Sequence, residues 1–401
     1  MDREPRREIA GRAADSLEKA RARLADATAV SGFDGFVDTI LHVASRRTGP
    51  GSRDYERLAE MKALAKRIDA AAGRSANFEL VAQRVKVGGN GAIMASALAH
   101  LGAPTTYIGN IGADNRRGLI ERTEQADAVF HDFARRCGKA YTVGPPAHTD
   151  AVEFDDGKLL LGKLGPIECV TWEAVLEAVG GVDGFARLLT EAGILSAGNW
   201  TMLFAMNRIW EGLRDEVLPR VKALGGRGPR LMFVDLADPA KRSDEDLREG
   251  MRLLGGINTM LPVTLGLNRA ETMRLAQMNG VAHALEEGEF PENEAVVSAA
   301  EGIRAALRLD CVVAHHRRGA CAVREGSWAC FEGPFTRMPQ ISTGAGDHFN
   351  AGFSFASALG LRMDETMATA AGVSGWYVRK GGSPGLGELI GFLRALPNPD
   401  R

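Results

Sequence analysis

The chain has 401 residues, with 49 Lys+Arg against 51 Asp+Glu and a formal net charge of −2. That balance leaves no basic footprint for nucleic acid or an anionic membrane surface, and 45% hydrophobic with 25% charged residues excludes wholesale disorder. No run approaches the ~18 apolar residues that span a bilayer, and the start, MDREPRREIAGRA, lacks a signal-peptide core, so a soluble cytoplasmic protein with no nucleic-acid or membrane partner is expected.

Ile9, Ala13, Leu17, Ala20 and Leu24 recur at helical spacing and predict an amphipathic N-terminal helix over 1–26. Residues 27–40 then read as a strand, a turn at Gly32 and Gly35, and a second extended piece. A polar segment, about 42–86, carries a helix marked by Leu58, Met61, Ala65 and Ile68. An extended piece at 85–87 leads into a helix over 92–101, and Thr105–Ile108 is extended again. Residues 141–164 have the texture of a β-hairpin around Asp156-Gly157. Strand and helix alternate from there: strands near 194–196, 231–236, 261–267 and 311–314, helices at 207–224, from Arg269 and at 301–309, and a hairpin partner at 320–323. Repeated strand–helix units predict a mostly parallel sheet with helices on both faces, and the hairpin pieces a small second sheet. Five scattered cysteines (Cys137, Cys169, Cys311, Cys321, Cys330) form no CxxC pair and read as reduced core thiols.

The 48 glycines exceed ordinary usage of about 7% and gather where chemistry is expected. In Ser342-Thr343-Gly344-Ala345-Gly346-Asp347, glycines leave amides uncovered where a helix begins. Unpaired amides and the positive end of a helix dipole suit a phosphate. Asp347, in the first turn, could accept the proton of an alcohol held against it. Alone, the run is equally a Gly-rich turn with an Asp cap. A second run, Gly88-Gly89-Asn90-Gly91, opens a helix after an extended segment, with glycines that let backbone approach a ligand and an Asn for its hydroxyls. Met94 stands where a dinucleotide fingerprint needs a small residue, which weakens a nicotinamide-dehydrogenase reading. Asp34 and Asp38 form a pair that could clamp vicinal hydroxyls or serve the turn. Asn268 and Glu271, one helical turn apart at a strand end, could address a phosphate and hold Mg²⁺ through water, or form a capping box.

In that order and separation, GGNGAIMASALAHLGAPTTYIGNIGAD and STGAGDHFNAGF resemble the ribokinase-like (PfkB) family of carbohydrate kinases. The Asn268/Glu271 run resembles its Asn-x-x-Glu element, and AAGVSGWYVRKGGSPG its C-terminal nucleotide-side segment. The resemblance implies a three-layer α/β fold over 27–395, with a mostly parallel central sheet flanked by helices. Segments at about 36–86 and 127–165 would form a small β lid. The implied activity is transfer of the γ-phosphoryl group of ATP to a hydroxyl of a sugar or related small polyol. Asp347 matches the base, Gly344, Ala345 and Gly346 the anion hole. Asp38, Gly89 and Asn90 match substrate contacts, with Asp34 nearby and Glu153 reaching in from the lid. Asn268, Thr343, Gly319 and Arg317 are expected on the nucleotide side, with Glu271 on Mg²⁺. Ile341 replaces an Asp found in many members, so monovalent-cation activation does not carry over. His315, His316, Arg317 and Arg318 replace the usual turn beside the nucleotide, as phosphate contacts or as solvated surface. The 42–86 segment points to a modified lid or a homodimer contact. A nucleoside kinase and a catalytically idle sugar- or nucleoside-binding protein are the alternatives on the same scaffold.

Overall fold

The computed structural model describes residues 3–281, 285 and 292–400. Among the described residues, fifteen strands run in chain order as β1 (Ala29–Phe33), β2 (Phe36–Arg47), β3 (Tyr55–Arg57), β4 (Leu80–Gly88), β5 (Thr105–Gly109), β6 (Gly118–Leu119), β7 (Lys139–Thr142) and β8 (Ala147–Glu153), followed by β9 (Lys158–Lys163), β10 (Ile194–Ala197), β11 (Leu231–Asp235), β12 (Val263–Asn268), β13 (Cys311–His315), β14 (Gly319–Arg324) and β15 (Ser327–Glu332). Ten of them form one sheet in the order β15-β14-β13-β12-β11-β10-β1-β5-β7-β6. From β13 to β7 every neighbour is parallel, while β14, β15 and β6 run antiparallel at the edges.

Burial on both faces explains the apolar central strands. Along β11, Met232 and Val234 join one core and Leu231 and Phe233 the other. The N-terminal helix Arg3–Ala20 belongs to the second core, where Ala10, Ala13, Ala14 and Leu17 pack with Leu389 and Leu393 of the C-terminal helix. Arg6 is buried in that seam, donating Nε to the Glu332 carbonyl at 2.6 Å and Nη2 to that of Pro397 at 2.9 Å.

The chain runs from β1 outward to β5 and β7, then returns to the other side of β1 as β10. The order therefore reverses between β1 and β10, and a crevice at the carboxyl ends of such strands is where open α/β sheets bind ligands.

A second, five-stranded sheet, the one expected as the lid, pairs β2 with β3, β4 and β8, and β8 with β9. The helix of the 42–86 segment, Met61–Ala70, covers the outer face of this sheet, where Leu64 packs with Leu41, Val43, Leu58, Val152 and Phe154. Residues 139–142 lie in the large sheet, so the second strip of the lid starts at Ala147. The 207–224 helix is present but interrupted by a π turn over Leu213–Val217. The expectation of five reduced thiols fails: Cys321 and Cys330 face each other in register across β14 and β15 and form a disulfide. No described helix is long and apolar enough to cross a membrane.

Candidate active site

Gly344 has φ 94° and caps the helix Ala345–Ala358. A side chain there would be strained by that φ and would come 3.2 Å from the Tyr377 hydroxyl and 3.3 Å from Ile93, so glycine is what lets the helix begin here. The Ala345 amide turns back onto the Ser342 carbonyl at 3.2 Å. The first-turn amides after it have no intrahelical acceptor and point, with the helix dipole, toward an incoming anion.

Asp347 lies in this first turn and is only 7% exposed. Its carboxyl is pushed well above the usual carboxylate range, first by burial and then by the charges of Asp235 and Asp34. Asn90 works the other way, donating Nδ2 to Asp347 Oδ1 at 3.0 Å.

Asp34 and Asp38, expected as a pair, separate. Asp34 sits in the turn between β1 and β2 with no exposed surface. Its Oδ1 accepts from the Gly91 amide at 3.0 Å and from the Tyr107 hydroxyl, and its Oδ2 from the Asn199 side-chain amide. Burial raises it to about 6. Asp34 therefore ties the turn after β1 to the helix Asn90–His100 and to the loop after β10. A clamp on sugar hydroxyls would need exposure that it lacks. The Gly89 and Gly91 expectation changes with it: a side chain at either position would meet the Asp34 carboxylate at 2.9 Å. These glycines leave room for Asp34 against the start of this helix. Asp38 lies within β2 on the inner face of the lid, with Lys86 at 3.6 Å. Glu153 shares that face, opposite Lys158 in register.

Asn268 and Glu271 form the capping box: the Glu271 amide donates to Asn268 Oδ1 at 3.0 Å, and the Asn268 amide to Glu271 Oε2 at 2.7 Å. Glu271 Oε1 also accepts from the Asp238 amide at 3.0 Å. Burial, then the charge of Asp235, raises Glu271 to about 8. Asp235, at the end of β11, accepts from Asn350 Nδ2 at 2.7 Å and from the Ala237 amide at 2.9 Å. Beside these acids opens a cleft of about 520 Å³, lined among others by Asn268, Arg317, Gly319, Phe335, Ala345 and Gly346. It has the size of a small-molecule site. His315 and His316 line it as well, both lowered to about 4 by burial.

A helix start with first-turn amides open to an anion, a buried carboxylate in that turn and a neighbouring cleft are the parts that phosphoryl transfer needs. The sequence profile of the prokaryotic ketohexokinase family matches residues 5–395. The chain belongs to that family. It is 30% identical over 387 residues to the ketohexokinase of Haloferax volcanii, covering 95% of each chain. Ribokinase from Thermotoga maritima (17% identity, TM-score 0.57) and an ATP-bound fructokinase from Xylella fastidiosa (15%, TM-score 0.59) share its fold, each over 92% of this chain and 98% of their own. The protein is an ATP-dependent sugar kinase on a ribokinase-like fold.

Within this kinase the structure brings together Asp347, Asn90 and the helix start at Gly344 from segments far apart in the chain. Asn268, Arg317 and Gly319 reach the cleft, whereas Thr343 turns its hydroxyl toward Lys158 of the lid. Sequence reasoning missed Asp235, Asn199, Lys86 and Lys158. Asp235 carries a signal, an acid ending an otherwise apolar strand, but Lys86 and Lys158 acquire meaning only through lid register.

Proposed function

We propose that the acceptor is a ketohexose, phosphorylated with Asp347 as general base. The acceptor class rests on the likeness to a ketohexokinase along nearly the whole chain. The observation that carries the chemistry is the Asn90–Asp347 hydrogen bond at the start of the anion-binding helix. Asp38 and Asn90 hold sugar hydroxyls, Glu153 lies on the lid face above them, and Asp34 positions the turn beneath. Asp347 removes the proton of the reacting hydroxyl. The sugar oxygen then bonds to the γ-phosphorus as the bond to the β–γ bridging oxygen breaks, and ADP leaves. The first-turn amides absorb charge that develops on the transferring group. Arg317, Gly319, Asn268 and Thr343 serve the nucleotide side.

Mg²⁺ fits the acids beside the cleft. The charge of Asp235 raises the affinity of Glu271 for protons, and a divalent cation relieves that repulsion. Both Glu271 oxygens already accept backbone amides, so Glu271 and Asp235 would hold the ion through water, the usual manner for Mg²⁺. The ion would neutralise phosphate charge. Ile341 offers no carboxylate for a monovalent cation, and we propose no K⁺ dependence.

A reaction fed by ATP is assigned to the cytoplasm. On the outer face of the lid, Val85 and Leu161 stay exposed beyond the Met61–Ala70 helix, a surface through which we propose a homodimer, tested by light scattering.

The experiment is ADP release from Mg·ATP across D-fructose, aldohexoses, pentoses and nucleosides, with ³¹P NMR to read the esterified hydroxyl. Preference for D-fructose supports the acceptor assignment, and turnover confined to another class overturns it.

A further inference from the structure

The machinery so far leaves the cations of the lid unused. Alternation along the lid strands puts Asp38, Arg84, Lys86, Thr149, Glu153 and Lys158 on its inner face. Lys86 already has an acid, Asp38, at 3.6 Å. Lys158 is different. It stands at the start of β9, half-buried, and donates its ammonium to the hydroxyl of Thr343, 185 residues further on.

Thr343 is the residue immediately before the Gly344 cap. The Tyr377 hydroxyl donates to its carbonyl at 2.8 Å, which fixes the backbone while its own hydroxyl meets the lid. Lys158 thus reaches across from the lid to the edge of the anion hole. Its charge is held there by a neutral partner. Burial draws its pKa below the usual lysine range, with Glu153 and Asp38 only partly offsetting it. An ammonium removed from water, with two acids only partly offsetting its burial and a neutral hydroxyl as its bonded partner, still calls for further negative charge. A phosphoryl group arriving at the first-turn amides supplies it.

We propose that Lys158 is a catalytic cation carried by the lid, bearing on the phosphoryl group in transit from ATP to sugar. Lys158 stays protonated throughout. The proton of the sugar goes to Asp347, the new oxygen–phosphorus bond forms as the bond to ADP breaks, and Lys158 contributes charge only. Positioning and charge neutralisation carry most of phosphoryl-transfer catalysis, so lid closure completes the charge balance besides excluding water. A neutral sugar gives an ammonium at this place no comparable partner, which assigns Lys158 to the phosphoryl group and not to the acceptor.

The test compares Lys158→Met and Lys158→Arg with wild type, using the panel sugar that wild type turns over best. Lys158 therefore stands or falls independently of the ketohexose assignment. Melting temperature and ADP affinity of both variants should match wild type. For Lys158→Met, kcat should fall about a hundredfold or more, with the sugar KM within about threefold, and Lys158→Arg should recover part of the loss. A second reading uses no turnover. Wild type with sugar and Mg·ADP should trap fluoroaluminate, a mimic of the transferring group, and Lys158→Met should fail to trap it while still binding ADP. A kcat within about threefold of wild type, a rise in sugar KM at unchanged kcat, or normal trapping by Lys158→Met would each overturn the proposal.

Discussion

The side-chain amide of Asn90 donates to Oδ1 of Asp347 at 3.0 Å, joining residues 257 positions apart. One opens the helix after β4, the other lies in the first turn of the anion-binding helix. The bond fixes the direction of the carboxylate and favours its charged form against a burial that opposes it. Asn90→Ala should therefore lower kcat by about tenfold or more and move the acidic limb of the pH profile upward. A variant with wild-type kcat and an unmoved limb would separate Asn90 from the base.

The pH profile has a predicted direction. As the proposed base, Asp347 must be ionised to accept a proton, and its pKa is raised by burial, by Asp235 and by Asp34. As pH falls, activity should be lost above the range of an ordinary carboxylate. Asp235→Asn removes one raising charge and should shift that limb of kcat/KM to lower pH. An unchanged limb would show that Asp235 does not act on the base.

Glu271 links stability to pH. Its folded-state value of about 8 lies above the ordinary 4.5, so between these the native chain binds more protons than the unfolded one. Stability is then lost as pH rises through that window. Buried His315, His316 and His348, each lowered to about 4, act with the opposite sign below about 6.5. Thermal unfolding between pH 6.5 and 8 leaves these histidines out, and the variant separates Glu271 from the other raised acids: the ligand-free wild type should lose more stability than Glu271→Gln. Equal slopes would contradict the assignment.

Gly344→Ala tests the helix start. At φ 94° a side chain costs about 1–2 kcal/mol, and it would crowd Tyr377 and Ile93. The KM for ATP should rise by more than the modest loss in melting temperature would suggest. A folded variant with unchanged ATP kinetics would remove these amides from phosphate binding.

Local patterns were legible in the sequence and long-range juxtapositions were not. Asn268 and Glu271 were readable because a capping box is contained in four residues. The Gly344–Asp347 run was readable because glycine and acid at a helix start have local physical reasons. Asp34 and Asp38 misled because a shared turn does not imply a shared environment: one faces the helix start, the other the lid. Cys321 and Cys330 had a usable signal, being equidistant from the turn at Glu325-Gly326, but it appears only once β14 and β15 are paired. Lys158 had none, since nothing near it in the chain mentions Thr343.

The central claim, that Asp347 is the base for phosphorylating a ketohexose, is tested most directly by comparing wild type with Asp347→Ala on D-fructose and Mg·ATP, with ATP binding measured alongside. Wild type should yield a D-fructose phosphate, and the variant should show a kcat lower by about a hundredfold or more with ATP affinity little changed. Wild-type-like turnover by Asp347→Ala would contradict it.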